Sequence, residues 1–206
     1  AHTVWVNDDE IALLAERQAV PVHNPESNAK LRVGTSPLPK MLAAGVPVAL
    51  GADGSSTNDN QNLFDAMSMA VLIPRILGTD EAGWPGAPEA FAMATRNGAK
   101  AMLMDGRLGA IAPGQRADIV LYDLASPSLA PLNDPLQQLV FCERGESVRT
   151  VLIEGNVVYE DGTFAFGDAA EVARQANEMR QKQLGRNETL YRLAGQLAAA
   201  QGKAMT

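Results

Sequence analysis

Apolar and polar positions run in two rhythms through the first half of the chain. The opening, Ala1 to Val6, carries the apolar run Val4-Trp5-Val6 and reads as a strand. Asn7 to Gln18 opens on polar residues and then sets Ile11, Leu13 and Leu14 at helical spacing. Asn7 or Asp8 is its candidate N-cap, with Glu10 in the first turn. Ala19 to His23 is a short apolar run read as a second strand, ended by Asn24-Pro25. A helix from Pro37 to Ala44 follows, with Ser36 as cap and Gly45 as its stop. Val46 to Ala52 then has no polar alternation, which suits a strand covered on both faces. Strand, helix, strand, helix, strand is the order of units that build a parallel sheet.

Farther along, an apolar helix is expected from Asn62 to Leu77, interrupted by Pro74, then a loop from Gly78 to Gly86 containing Asp80, Gly83 and Pro85. One helix is expected from Pro88 to Met104, stopped by Asp105-Gly106, with a small-residue face of Ala90, Ala94, Ala99 and Ala101. The character changes at Gly109. A turn-rich Gly109 to Gly114 leads to a strand at Ala117 to Asp123, then to an aperiodic Pro-rich stretch from Ser126 to Pro135. Val148 to Glu154 and Val157 to Glu160 flank Gly155-Asn156, a two-residue hairpin signal, and Asp161-Gly162 marks the next turn. From Asp168 the pattern is helical and charged. Val172, Ala176, Met179 and Leu184 make one stripe and Leu190, Leu193 and Leu197 another, with Gly185 between them. A helix pair packing one face on the body, or a dimerisation helix, accounts for these stripes. The chain divides into 1–107, an α/β part, 108–166, a small β subdomain, and 167–206, the terminal helices.

Composition narrows the possible partners. The 206 residues are 46% hydrophobic with a formal net charge of −7, so a nucleic-acid backbone is not an expected ligand. No segment approaches the roughly 18 consecutive apolar residues of a membrane span. The single cysteine, Cys142, rules out an internal disulfide framework and fits a reducing, cytoplasmic setting. The start lacks a basic region followed by an apolar one, so no secretory signal is expected. Ala1 lies inside an apolar run with no initiator Met, and the chain reads as the C-terminal part of something longer.

Asp53 is the residue with the clearest chemical position. It sits where the Val46 strand ends, and Gly54 lets the chain turn away. In parallel α/β folds chemistry is placed at the C-terminal ends of strands. A carboxylate there, followed by Ser55, Ser56, Thr57 and Asn58, reads as a metal ligand or a general base, or as a residue that opens a turn or caps the next helix. The chain has only two histidines, so it cannot build a histidine-rich metal site alone. His2 lies at the end of a strand, at the level of Asp53, if the residues that precede it are one. His23 closes the next strand and supports either the site or the loop. Asp8 and Asp9 stand at a helix start, where they complement the dipole and carry no catalytic weight.

These motifs fall in a distinctive order. Ala-His-x-Val-Trp-Val-x-Asp-Asp-Glu-Ile is followed by His-Asn-Pro-x-Ser-Asn-x-Lys-Leu and then Gly-Val-Pro-Val-Ala-Leu-Gly-Ala-Asp-Gly-Ser-Ser-x-Asn. Gly-Ala-Lys-Ala-Met precedes Gly-x-Ile-Ala-Pro-Gly-Gln-Arg-Ala-Asp-Ile-Val-Leu-Tyr-Asp, and Val-Leu-Ile-Glu-Gly-Asn-Val-Val-Tyr comes later. The set closely resembles the amidohydrolase superfamily, in its branch of aromatic-base deaminases and triazine chlorohydrolases, through about Gly162.

The resemblance implies the last part of a (β/α)8 TIM barrel with an appended small β-sandwich and terminal helices. Ala1 to Val6 matches the end of the sixth strand, Pro21 to Asn24 the seventh and Val46 to Asp53 the eighth. It implies that Asp53 ligates one divalent metal, zinc or alternatively iron, and shuttles protons, and that His2 is a catalytic residue beside the substrate. The family's other ligands, an HxH pair and a fifth-strand histidine, and its proton-donating glutamate are absent from this sequence. The implied activity is a metal-dependent deamination of an amino-substituted heteroaromatic ring, of purine, pterin, pyrimidine or triazine type, with water as co-substrate. Triazine dechlorination, cyclic-amide hydrolysis and a non-catalytic scaffold role are the alternatives. A homo-oligomer and the N-terminal half of the barrel are the expected partners. Ser55 to Asn60 is expected at the pocket rim, with Asn58 and Asp59 facing substrate or capping the following helix.

Overall fold

A computed structural model describes residues 1–78 and 83–200. Residues 79–82 of the expected Gly78 to Gly86 loop, Asp80 among them, lie outside the described residues. The contacts divide the chain into two compact units, Ala1–Val157 and Val158–Thr206.

In the first unit, α1 (Asp8–Glu16) starts where the polar opening predicts. The Asn7 side chain accepts from Glu10 N at 2.9 Å, and Glu10 Oε2 accepts from Asn7 N at 2.8 Å. This reciprocal pair satisfies two backbone donors that the helix leaves open. Asp8 does not reach a reaction centre; its carboxylate pairs with Lys40 at 2.7 Å. The two expected strands form β1 (Val22–His23) and β2 (Ala49–Leu50), paired in parallel with Val22 opposite Ala49 and His23 opposite Leu50. Flanking bonds from Ala49 N to Pro21 O and from Gly51 N to His23 O, both 2.9 Å, continue the ladder.

Between them run α2 (Pro25–Leu31) and α3 (Leu38–Ala43). The second matches the expected helix, with Pro37 rather than Ser36 at its N-cap. The first was not expected: Asn24-Pro25, which ends the strand, also starts a helix, with Asn24 as N-cap and Pro25 in the first helical position. Proline suits that place because its missing N–H is not needed there.

Ala1 to Val6, expected as a strand, does not form one. His2 and Thr3 have φ of 69° and 43°, and the chain turns at Val4-Trp5. A strand needs a ladder partner, and the bond from His2 N to Val22 O at 2.8 Å supplies one link only.

The loop after β2 contains the short α4 (Ser55–Asn58) and leads to α5 (Leu63–Ile76). Asn62 caps α5 by accepting from Phe64 N at 2.9 Å. The single helix expected over Pro88 to Met104 is two, α6 (Ala87–Ala94) and α7 (Arg96–Ala101). They break at Thr95, whose φ of −118° and ψ of −88° are not helical. Thr95 Oγ1 donates back to Phe91 O at 2.7 Å, and Asn97 Nδ2 donates to Val48 O at 2.7 Å, which aims α7 at the β2 strand. The expected small-residue face is used: Ala90 is fully buried and Ala99 nearly so.

The core joins Ile11, Leu38, Met41, Val46, Val48, Leu50, Met67, Val71, Ala90, Met93 and Val140. Val140 comes from α8 (Pro135–Phe141), a helix not expected beside the Pro-rich stretch. Asp134 caps it by accepting from Leu136 N and Gln137 N. Beyond it, β3 (Ile119–Tyr122) pairs antiparallel with β4 (Val148–Ile153). The chain then reverses through Glu154 and Gly155, with φ of 52° and 80°, into β5 (Asn156–Glu160). The hairpin loop is therefore Glu154-Gly155, one residue earlier than expected; two consecutive positive φ values match the twist of the strands. The second packed sheet of a β-sandwich is not found among the described residues.

In the second unit, the end of β5 pairs with β6 (Thr163–Phe164) across the expected Asp161-Gly162 turn. The rest is α9 (Ala169–Arg186) and α10 (Glu188–Ala200). Gly185 does not interrupt α9; the break falls at Asn187. Val172 and Met179 are exposed, as are Leu190, Leu193 and Leu197.

Candidate active site

Asp53 lies three residues past β2 on a loop that the strand itself aims. The approach requires glycine at Gly51, because a Cβ there would meet the Asn24 side-chain oxygen and come within 2.8 Å of Val22 Cγ1. Asp53 then takes φ of 60°, in the left-handed region that few non-glycine residues occupy. The N-cap of α4 is Gly54, so Asp53 is not the cap of that helix. Its Oδ2 accepts from Ser27 Oγ at 2.6 Å and from Thr57 Oγ1 at 3.0 Å. The Ser27 and Thr57 hydroxyls and the Gly54 N–H hold this carboxyl below the usual carboxylate range, against a smaller opposing effect of burial.

His2 stands across from it. Its Nε2 is 3.8 Å from Asp53 Oδ2, and the two side chains retain 39% and 31% of their accessible surface. On the other side of the ring, His2 Nδ1 is 2.8 Å from Asn28 Oδ1 and 3.4 Å from Asn24 Nδ2. The structure thus brings His2 and Asp53 together across a sequence gap that no local pattern spans. The residues between them, Asn24, Ser27 and Asn28, are all buried and all belong to the start of α2. The sequence places Ser27 and Asn28 in the His-Asn-Pro-x-Ser-Asn motif but assigns neither a role. The available signal was the N-cap and first-position pair Asn24-Pro25.

His23 lies beneath this layer, 1% exposed. Burial, reinforced by the charge of His2, lowers its pKa to about 4, so the ring is neutral over the physiological range. Its Nδ1 has no hydrogen-bond partner among the described residues.

The outer loop is stitched to α2 as well. The buried Asn58 donates to Glu26 Oε2 and accepts from Gln61 N at 2.5 Å. Gln61 Nε2 in turn donates to Asp53 O at 2.8 Å. Asn58 therefore faces inward and ties the loop down. Burial raises the Glu26 pKa, partly offset by the Asn58 amide. Asp59 does not cap α5; it pairs with Lys30 of α2 at 2.5 Å.

A divalent metal in a catalytic site usually takes three protein ligands and keeps one open position. Among the described residues no group of three or more His, Cys, Asp or Glu side chains could hold such an ion. What this chain offers is one ionised carboxylate, whose two hydroxyl bonds both fall on Oδ2, and one imidazole beside it. That donor set fits one edge of a metal site and not a whole one.

A protein-family model described as the amidohydrolase family matches residues 1–158. The chain is 44% identical over 180 residues to the 5-methylthioadenosine/S-adenosylhomocysteine deaminase of Desulfovibrio desulfuricans, an alignment covering 87% of this chain and 40% of that protein. Among solved structures, an adenosine deaminase from Xanthomonas campestris with bound zinc superposes with a TM-score of 0.84 at 31% identity. That match covers 88% of this chain and 41% of the other. Atrazine chlorohydrolase TrzN from Arthrobacter aurescens TC1, complexed with zinc, gives a TM-score of 0.79 at 26% identity, over 86% of this chain and 39% of the other. The chain spans about 40% of the length of the curated relative it matches. Its parallel strands and their helices fit a fragment of the TIM barrel of these neighbours.

Proposed function

The chain belongs to the amidohydrolase family, and on that premise we propose that it is part of a metal-dependent hydrolytic deaminase acting on an adenosine-type nucleoside. The observation that carries the reading is the pairing of His2 and Asp53 at 3.8 Å, with Asp53 held ionised by two hydroxyls. The name of the Desulfovibrio relative, a deaminase of substituted adenosines, supports the substrate class.

In this reading Asp53 is both metal ligand and catalytic residue, and His2 is catalytic without being a ligand. Zinc, present in both structural neighbours, is the expected ion, with iron as the alternative. A bound divalent metal supplies Lewis acidity that brings the pKa of water toward neutrality. Asp53 takes a proton from the attacking water and passes it to the departing amine. His2 orients that water through Nε2. Water adds at the ring carbon, the C–N bond breaks, ammonia leaves with the proton that Asp53 carried, and a ring carbonyl remains, the second water proton ending on the adjacent ring nitrogen.

The remaining ligands belong to strands outside this sequence, so the active unit includes the N-terminal part of the barrel. We further assign residues 1–107 to the barrel, 108–166 to a β-sandwich subdomain and 167–206 to terminal helices, in a cytoplasmic homo-oligomer. The triazine chlorohydrolase neighbour favours a second reading, in which the same water displaces chloride from a triazine.

The deciding experiment uses the full-length polypeptide that carries these residues. Metal analysis is combined with an ammonia-release assay over adenosine, a 5′-thioether of adenosine, guanine and an aminotriazine, with chloride release from a chlorotriazine in parallel. Ammonia from the adenosines with about one zinc per subunit supports the proposal. Chloride release alone moves the assignment to the second reading, and neither activity removes it.

A further inference from the structure

We infer that Ser27 and Asn28, adjacent in the first turn of α2, are positioning residues that set the two sides of the site at once. Ser27 orients the Asp53 carboxylate, and Asn28 selects the His2 tautomer with its hydrogen on Nδ1, so that Nε2 faces Asp53 as an acceptor. The catalytic consequence rests on the function proposed above; the tautomer itself does not.

The two side chains are each 1% exposed, and they diverge from one helical turn toward different partners. Ser27 Oγ reaches Asp53 Oδ2 at 2.6 Å, and Asn28 Oδ1 reaches His2 Nδ1 at 2.8 Å. An amide oxygen only accepts, so with Asn28 Oδ1 toward the ring a contact of 2.8 Å places the hydrogen on Nδ1; the other end of that amide, Nδ2, is buried and has no hydrogen-bond partner among the described residues. Asn24 Nδ2 competes as a donor to the same nitrogen, but at 3.4 Å its contact is the weaker one.

Asp53 opposes this tautomer in principle, since a carboxylate draws an N–H toward itself. Here Nε2 and Oδ2 are 3.8 Å apart, too far for a hydrogen bond, and Oδ2 already accepts two hydroxyl hydrogens. The 2.8 Å bond therefore decides. An imidazole held with Nδ1–H bonded behind it presents a lone pair at Nε2 that exchanges a proton without the ring turning. Pro25 begins the helix that carries Asn28, and His2 N donates to Val22 O, which fixes the backbone at both ends of the contact.

The test reads the tautomer directly. Nitrogen NMR of the full-length protein labelled in histidine, at alkaline pH where imidazoles are neutral, assigns the His2 signals by their loss in His2→Gln. The expected wild-type pattern is a protonated Nδ1 and an unprotonated Nε2. Asn28→Asp, which keeps the acceptor, retains that pattern; Asn28→Leu, which removes it at similar volume, loses it. In turnover, Asn28→Leu and Ser27→Ala lower kcat on the order of 10- to 100-fold with little change in KM, and Asn28→Asp and Ser27→Thr recover most of it. A wild-type His2 protonated on Nε2 overturns the inference, even if Asn28→Leu does not fold. So does wild-type kcat in a folded Asn28→Leu or Ser27→Ala. Absence of ammonia release from every amine overturns the proposed function instead and leaves the tautomer measurement standing.

Discussion

His2 Nε2 and Asp53 Oδ2 face each other at 3.8 Å, with α2 bonded through Asn28 to the other nitrogen of the ring and through Ser27 to that same carboxylate oxygen. Neither residue reaches the other by a direct hydrogen bond, so each keeps a face for a third group. That separation is too long for a hydrogen bond and too short to seat a water in line between the two atoms, so a water bonded to both lies to one side of the pair.

Asp53→Asn is expected to reduce turnover of the full-length protein by at least two orders of magnitude and to lower its zinc content, because the amide cannot accept the water proton. His2→Asn is expected to lower turnover with zinc retained. Steady-state assays and metal analysis of the two purified variants check both. Wild-type activity and zinc in Asp53→Asn removes Asp53 from the site, and zinc loss in His2→Asn makes His2 a ligand.

His23 links stability to pH. Its pKa falls from an ordinary 6.5 to about 4 on folding, because burial and the His2 charge disfavour its protonation. The unfolded chain therefore binds the extra proton first. The contribution is complete above pH 6.5 and is lost as pH falls from there toward 4, to a limit on the order of 3 kcal/mol. Denaturant titrations across that interval should show a shallower slope in His23→Gln than in wild type. Identical slopes would mean His23 does not titrate on unfolding.

Glu143 is fully buried. Burial raises its pKa, but the Ser147 and Ser128 hydroxyls and the N–H groups of Gly145 and Ser147 outweigh this and leave it lowered. Glu143→Ala strands those donors and is expected to cost on the order of 3 kcal/mol, whereas Glu143→Gln, which keeps an acceptor, costs less. Thermal melting of the two variants checks the order. Equal losses would show that the hydrogen bonds are not the reason for the carboxylate.

Gly109 has φ of 88°, and a Cβ there would stand 2.8 Å from Arg96 Cα. The obstacle is backbone, so it cannot swing aside. Gly109→Ala is expected to lose about 1–3 kcal/mol, while alanine at the exposed Gly185, inside α9, is neutral or stabilising. Chemical denaturation of both separates local strain from a general intolerance of substitution.

Much of this molecule was written in short stretches of chain. The capping pair Asn7 and Glu10 and the turn at Asp161-Gly162 are each decided by neighbours in sequence and stand where the pattern put them, while the strand expected over Val46 to Ala52 is kept only at Ala49–Leu50. Local signals erred where a second element settles the outcome. Val4-Trp5-Val6 has strand composition, but a strand exists only by hydrogen bonding to another, and one bond to Val22 is not a ladder. The helix through Thr95 breaks next to the point where Asn97 reaches across to Val48, and α8 seats Val140 in a core built from distant residues.

The candidate site divides in the same way. Asp53 was visible because an acidic residue closing a buried strand is a one-dimensional signal. Its partnership with His2, and the role of Ser27 and Asn28 between them, was not. Those contacts join residues more than twenty positions apart, and distance in sequence carries no information about distance in space until the parallel pairing of β1 with β2 brings the segments together.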